Sequence, residues 1–179
     1  PLEVFGIASK KSWFSNYDVV TINVDNKPIV ESEEGLLLKA DAFLKDKPSV
    51  DVLLVPSSYD MKPLLKNQSL INYVADTSKS ASWMASNCSG AFVLAEAGVL
   101  DGKKATTWFG GEKELARDYK KVDVQFDTNY VIDGNVITSN GSVVSYQAAL
   151  ALLEKMSSKR HADEVSEALQ MERVWKTYK

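Results

Sequence analysis

At 179 residues the chain is most naturally one domain, long enough to hide roughly 70% of the surface its unfolded form exposes. It is 45% apolar and 25% charged with a formal net charge of −3, which offers no basic surface for nucleic acid and no apolar run long enough to cross a bilayer. A single cysteine rules out an internal disulfide, and the opening PLEVFGIASKK lacks the charged start and long apolar middle of a secretory signal. Together these point to a reducing, cytoplasmic setting.

The element that opens at Pro1 begins mid-phrase, which predicts further sequence upstream. YDVVTINV (17–24) and SVDVLLVP (49–56) are short, apolar and β-branched, as buried strands are. The stretches 9–16 and 25–35 read as polar loops, with Trp13 and Phe14 in the first available for a pocket or for packing. Leu64, Leu65, Ile71 and Val74 recur at helical spacing and predict a helix within 61–80, with Pro63 in its first turn. SASWMASN (80–87) is a third strand. CSGAFVLAEAG (88–98) predicts a helix that stops at Gly98. The Asp-Gly turn in LDGKKATT (100–107) leads into a short strand. GEKELARDY (111–119) reads as a short surface helix. VDVQF and NYVIDGNVITS read as strands, the latter a hairpin signalled by Asp133-Gly134. SVVSYQAALALLEKM (142–156) is an apolar helix. ADEVSEALQMERVWKTY (162–178) is amphipathic, with Val165, Leu169 and Val174 on one stripe. Strands that alternate with helices predict an α/β fold: a mostly parallel central sheet flanked by helices.

Chemistry in such sheets collects at the carboxyl ends of the strands. SWMASN running into CSGAF places Cys88 there, at the first turn of a helix, like the elbow that exposes a hydrolase nucleophile. Gly90 permits tight packing just after the corner. The amide end of the helix favours thiolate and predicts a lowered thiol pKa, and the Ser89 N–H stands ready for an oxyanion. The alternative is a small buried hydrophobe.

The stretch CSGAFVLAEAGVLDGKKATT, followed by NYVIDGNVITSNG and an Ala/Leu-rich helix, resembles the DJ-1/PfpI (ThiJ) superfamily. More narrowly, it is similar to the branch holding isonitrile hydratases and the ligand-like domains of AraC-type regulators. PLEVFGIA resembles the segment after that branch's first strand, and DVLLVPSSYD resembles its second-half strand, which usually ends Pro-Gly-Gly. The resemblance implies a flavodoxin-like three-layer sandwich formed by a single domain over 1–179, a strained cysteine elbow and a homodimer. It also implies an acidic partner for the cysteine just after the first strand, hence upstream of Pro1. Removing a central strand would expose two edges, so the expectation is an N-terminal extension that carries it. Glu3, the nearest acid present, reads as a helix-start residue.

Several positions depart from the family pattern. Trp108 stands where many relatives carry His, and a protease or amidase needs a base beside the thiol. The only histidine, His161, reads as a solvated linker residue, so a Cys-His-Asp triad within the chain is not expected. Ser57 and Ser58 replace the usual glycine pair: either they narrow a substrate-binding loop where positive φ is costlier, or a turn absorbs them without effect. Ser89 keeps the hydroxyl of the Thr found in hydratase-like relatives, and either serves the chemistry or caps its own helix. Asn140 and Gly141 belong beside the elbow, as substrate contacts or as a plain turn. Trp108 and Phe109 either line the pocket or join the core.

The sequence therefore carries a cysteine-dependent reading. Cys88 and Ser89 act on a small substrate, with Ser57, Ser58, Trp108, Asn140 and Gly141 around it, by hydration or hydrolysis without metal or organic cofactor. Against it stands a non-catalytic ligand or redox sensor. Neither reading calls for a nucleic-acid or membrane partner. Chaperone or deglycase activity rests on fold likeness alone.

Overall fold

The computed structural model describes residues 1–11, 17–32 and 35–177. Trp13 and Phe14 lie outside the described residues. The chain divides into two compact units, Val20–Val144 and Pro1–Val19 with Ser145–Lys179.

The larger unit is built on a four-stranded sheet. Its strands are β5 (Val52–Val55), β6 (Trp83–Asn87), β10 (Val136–Ser139) and β9 (Tyr130–Asp133), in the order β5-β6-β10-β9. The first two pairings are parallel, and β9 returns antiparallel to β10 through a two-residue loop, Gly134–Asn135. All four residues of β10, which has a strand on either side, are buried. Three short pairs complete the strands. β1 (Ile22–Asn23) runs parallel to β4 (Ala42–Phe43), β2 (Ile29–Glu31) antiparallel to β3 (Leu37–Lys39), and β7 (Lys104–Ala105) parallel to β8 (Asp123–Val124).

The helices of this unit are α2 (Lys62–Lys66), α3 (Gln68–Thr77), α4 (Gly90–Glu96) and α5 (Glu112–Asp118). α4 is the hub, packed against β5, β6, α2 and α3. Its residues Ala91 to Leu94 are buried with Leu53, Val55, Val74, Met84, Leu100 and Leu115 in one core. That core positions the Cys88 corner, because β6 ends at Asn87 and α4 starts at Gly90.

The second unit joins α1 (Leu2–Lys11), α6 (Ser145–Met156), α7 (Lys159–Ala168) and α8 (Met171–Thr177). Val4 and Ala8 of α1 pack with Ala149 and Leu153 of α6 and with Ala162 and Val165 of α7. Glu3 sits in the first turn of α1, and a carboxylate oxygen accepts the Tyr146 hydroxyl at 2.6 Å.

Several predicted elements are cut by local chemistry. The helix expected within 61–80 is two helices, because the Asn67 side chain accepts the Leu70 N–H at 3.1 Å and starts a new one. The strand expected over 17–24 pairs only at Ile22 and Asn23. The stretch 25–35 is not simply a polar loop: Ile29–Glu31 pairs with Leu37–Lys39, and Ile29, Leu36 and Leu37 remain exposed on that hairpin. α1 likewise extends into the predicted loop at 9–16. The helix expected from 142 begins at Ser145, behind a 3₁₀ turn over Ser142–Val144. The last predicted helix breaks at Gln170, whose φ of +53° ends one helix before the next. α5 is not wholly a surface helix, since Glu112 and Leu115 are buried. No helix among the described residues is long and apolar enough to cross a membrane.

Candidate functional site

Cys88 lies between the end of β6 and the start of α4 with φ +53°. A residue with a Cβ pays steric strain in this left-handed region, about 1–2 kcal/mol, and stays there only when its surroundings hold it. They do so on both sides. Its N–H donates to the Ser139 carbonyl at 2.9 Å. Its carbonyl accepts the Thr107 hydroxyl at 2.9 Å. Gly141, itself at φ +96°, comes so close that a Cβ there would stand 2.7 Å from the Cys88 Cβ and 3.3 Å from its Sγ. Only glycine fits beside the thiol.

The two residues after the cysteine fasten the corner to the loop beyond β5. The Ser89 hydroxyl donates to the Ser58 carbonyl at 2.9 Å and accepts the Ser58 N–H at 3.0 Å. It makes no cap bond to its own helix, so the capping alternative is set aside. The same clasp takes up the Ser58 N–H. A Cβ on Gly90 would run into the Val55 and Pro56 carbonyls, the latter at 2.7 Å. α4 is thus pressed directly onto the carboxyl end of β5. Ser57 is exposed and Ser58 half-buried, and neither has positive φ, so the turn accepts serine without strain.

The thiol is half-buried. Burial pushes its pKa above the ordinary thiol value, and the Ser89 N–H pulls it only partly back. The expected lowering is therefore corrected. α4 spans seven residues and starts two residues after Cys88, so its amide end is a weaker and more distant positive charge than a long helix starting at the cysteine would give. Loss of water around the sulfur outweighs it.

The Asn140 N–H donates to the Asn129 carbonyl at 2.9 Å. The Trp108 ring stacks on Phe92 with centroids 5.0 Å apart, and Gly111 packs flat against it. The half-buried ring packs against the core around α4, while Phe109 is exposed. His161 is not a solvated linker residue: it is buried within α7, its Nε2 lies 3.0 Å from the Ala8 carbonyl and its Nδ1 2.9 Å from the Ser157 hydroxyl. Among the described residues no group of His, Cys, Asp and Glu could hold a metal ion.

Sequence reasoning missed Thr107, which is fully buried. Nineteen residues separate it from Cys88, and a Thr in a Thr-Thr pair after a short strand carries no signal of its contact. It also missed the buried Glu112, whose carboxylate accepts the Gly110 N–H at 2.7 Å.

Comparison with known proteins places these features. The model of the DJ-1/PfpI family matches residues 3–155. The chain is 31% identical over 127 residues to the isonitrile hydratase of Pseudomonas putida, covering 71% of this chain and 54% of that protein. It is 27% identical over 154 residues to the HTH-type transcriptional regulator CdhR of Pseudomonas aeruginosa, covering 86% of this chain and 45% of the regulator. It thus spans about half the length of these curated relatives. Among solved structures, a THiJ/PfpI family protein from Pseudomonas syringae superposes with a TM-score of 0.83 at 22% identity, over 95% of this chain and 67% of that one. That likeness shows the flavodoxin-like α/β fold.

Proposed function

Since this chain belongs to the DJ-1/PfpI family, we propose that it is a cysteine-dependent enzyme acting on a small molecule, with isonitrile hydration its reaction. The observation that carries the reading is Cys88 itself: an L-residue clamped at φ +53° against a glycine where a Cβ would crowd the cysteine's own Cβ and thiol. Strain of this kind collects where a reactive group must be held.

The state of the thiol supports hydration over hydrolysis. An amide needs a thiolate and a nearby group that can hand a proton to its leaving amine. The chain's one histidine is committed to Ala8 and Ser157. An isonitrile asks for something else, because its terminal carbon accepts both a proton and a nucleophile. A neutral thiol supplies both. Addition of the S–H to that carbon breaks the S–H bond and forms C–H and C–S bonds, giving a thioimidate on Cys88. Water then adds across the C=N bond, its oxygen to that carbon and one proton to nitrogen; the C–S bond breaks as the C=O bond forms, and the hydroxyl proton passes to sulfur. An N-substituted formamide leaves and the thiol is restored. Ser89 acts by holding the Ser57–Ser58 loop as one wall, and Asn140 and Gly141 form the other. No metal or organic cofactor takes part. The homodimer implied by the family resemblance belongs to the same proposal, and sedimentation of the purified chain reads it.

The test is a panel of isonitriles, amides and α-oxoaldehydes with wild type and Cys88→Ala. Turnover of isonitriles that vanishes in Cys88→Ala is expected. Equal turnover by both proteins would exclude the cysteine from the chemistry. A second reading, a ligand or redox sensor, draws on the likeness to the regulator CdhR. Clean oxidation of Cys88 to sulfinic acid by dilute peroxide, with no turnover on the panel, would favour it.

A further inference from the structure

We propose that Thr107 is a positioning residue for Cys88: its buried hydroxyl holds the cysteine's own carbonyl and so fixes where the thiol stands. The proposal rests on the reading of Cys88 as the reacting group, but its test does not depend on finding a substrate.

The corner is gripped by one strand through two routes. The short route is the Ser139 carbonyl of β10, which takes the Cys88 N–H at 2.9 Å. The long route starts one residue earlier on the same strand. The Thr138 hydroxyl accepts the Thr106 N–H at 2.8 Å, and the next residue, Thr107, donates its hydroxyl to the Cys88 carbonyl at 2.9 Å. Thr106, Thr107 and Thr138 are all fully buried, so no solvent competes for these bonds. Trp108 then fixes the far end of the segment by stacking on Phe92 of α4. The strap over Thr106–Trp108 therefore ties β10, the cysteine's peptide and the helix after it into one ring.

The carbonyl matters because the other group near it is weak. The Ala91 N–H approaches the same oxygen only at 3.4 Å, near the limit of a useful bond. Without the Thr107 hydroxyl, the peptide after Cys88 is free to rotate away from the left-handed region that the φ of +53° represents. That rotation moves the sulfur relative to Gly141 and the Ser89 N–H.

The experiment compares wild type, Thr107→Val and Thr107→Ser by iodoacetamide alkylation of Cys88 across pH, with rates corrected to the folded fraction. Thr107→Val keeps the shape and removes the donor. Its alkylation at about pH 8 is expected to fall about fivefold, the size a lost neutral hydrogen bond carries, with the midpoint moved to higher pH. Thr107→Ser keeps the donor and is expected to return to within about twofold of wild type. A merely structural role would lower stability and leave the profile of the folded molecules unchanged, and an unchanged Thr107→Val profile overturns the proposal. If the valine variant does not fold, NMR of the wild type decides. A slowly exchanging Thr107 hydroxyl proton coupled to the Cys88 carbonyl carbon is expected, and a rapidly exchanging one overturns it. Failure of the enzymatic reading shows elsewhere, as Cys88→Ala turnover equal to wild type.

Discussion

Cys88 and His161 are the two residues of this chain whose side chains could do chemistry near neutral pH, and they are held in opposite ways. His161 is only 5% exposed, in relaxed helix, and both ring nitrogens have partners in Ser157 and Ala8. Its Nε2 faces a carbonyl, which can only accept, so the proton sits on Nε2. Nothing is left over for a substrate. Cys88 is half-buried, its backbone is strained and its peptide is tied down on both sides. There the backbone N–H and carbonyl are fastened by Ser139 and Thr107, and the thiol is met by the Ser89 N–H. The contrast teaches that residue type alone does not mark a functional group. What marks it is where the hydrogen bonds go: to the side chain in a structural residue, to the peptide in a presented one.

The largest expected effect sharpens the presented side. Gly90→Ala drives a Cβ into the Val55 and Pro56 carbonyls, which are backbone and cannot swing aside. A stability loss of about 3 kcal/mol or more is expected in denaturant unfolding, together with loss of Cys88 reactivity. A mild loss would mean that α4 is not pressed against β5.

The next variant probes the structural side. His161→Ala takes a buried ring away from the Ser157 hydroxyl and the Ala8 carbonyl. It is expected to cost about 2 kcal/mol while the alkylation of Cys88 is unchanged in the folded fraction. A change in Cys88 reactivity would break the division between the two residues.

A smaller effect reads the strain itself. With the side chain removed in both, Cys88→Gly is expected to be more stable than Cys88→Ala by about 1 kcal/mol, since glycine occupies the left-handed region freely. Equal stabilities would show that the corner is unstrained.

The smallest is a pH effect. The thiol pKa is raised in the folded state, mainly by burial. As pH rises through the ordinary thiol range, the unfolded chain ionises first and is favoured. Stability is therefore expected to fall over that range, and the fall is complete once the folded thiol has also ionised. The decline should be smaller in Cys88→Ala, as read by midpoint denaturant concentration at each pH.

Much of this was legible in the sequence, and the reasons are specific. β5 and the β9–β10 hairpin announced themselves by β-branched runs and an Asp-Gly turn, and β6 by the short run that leads into Cys88. The corner was legible because an apolar strand ran straight into a small-residue helix. Gly90 and Gly141 stood where a chain must come close. Other features depended on contacts that spacing cannot encode. Thr107 reaches across nineteen residues. The Ser89 hydroxyl turned to Ser58 rather than to its own helix, and either choice suits a serine after a strand. The thiol pKa was misjudged because a helix end is visible in sequence, whereas the burial that opposes it is a property of the packed core. His161 was misjudged similarly: its neighbours in sequence are charged and exposed, but it lies on the inner face of α7.

The measurement that bears most directly on the central claim is the pH midpoint of Cys88 alkylation in the folded chain. A corner that presents a neutral, half-buried thiol gives a midpoint above that of a free cysteine measured under the same conditions, and that is the expected result. A midpoint below the free value would mean a thiolate at rest, and the neutral-thiol addition proposed for this site would be contradicted.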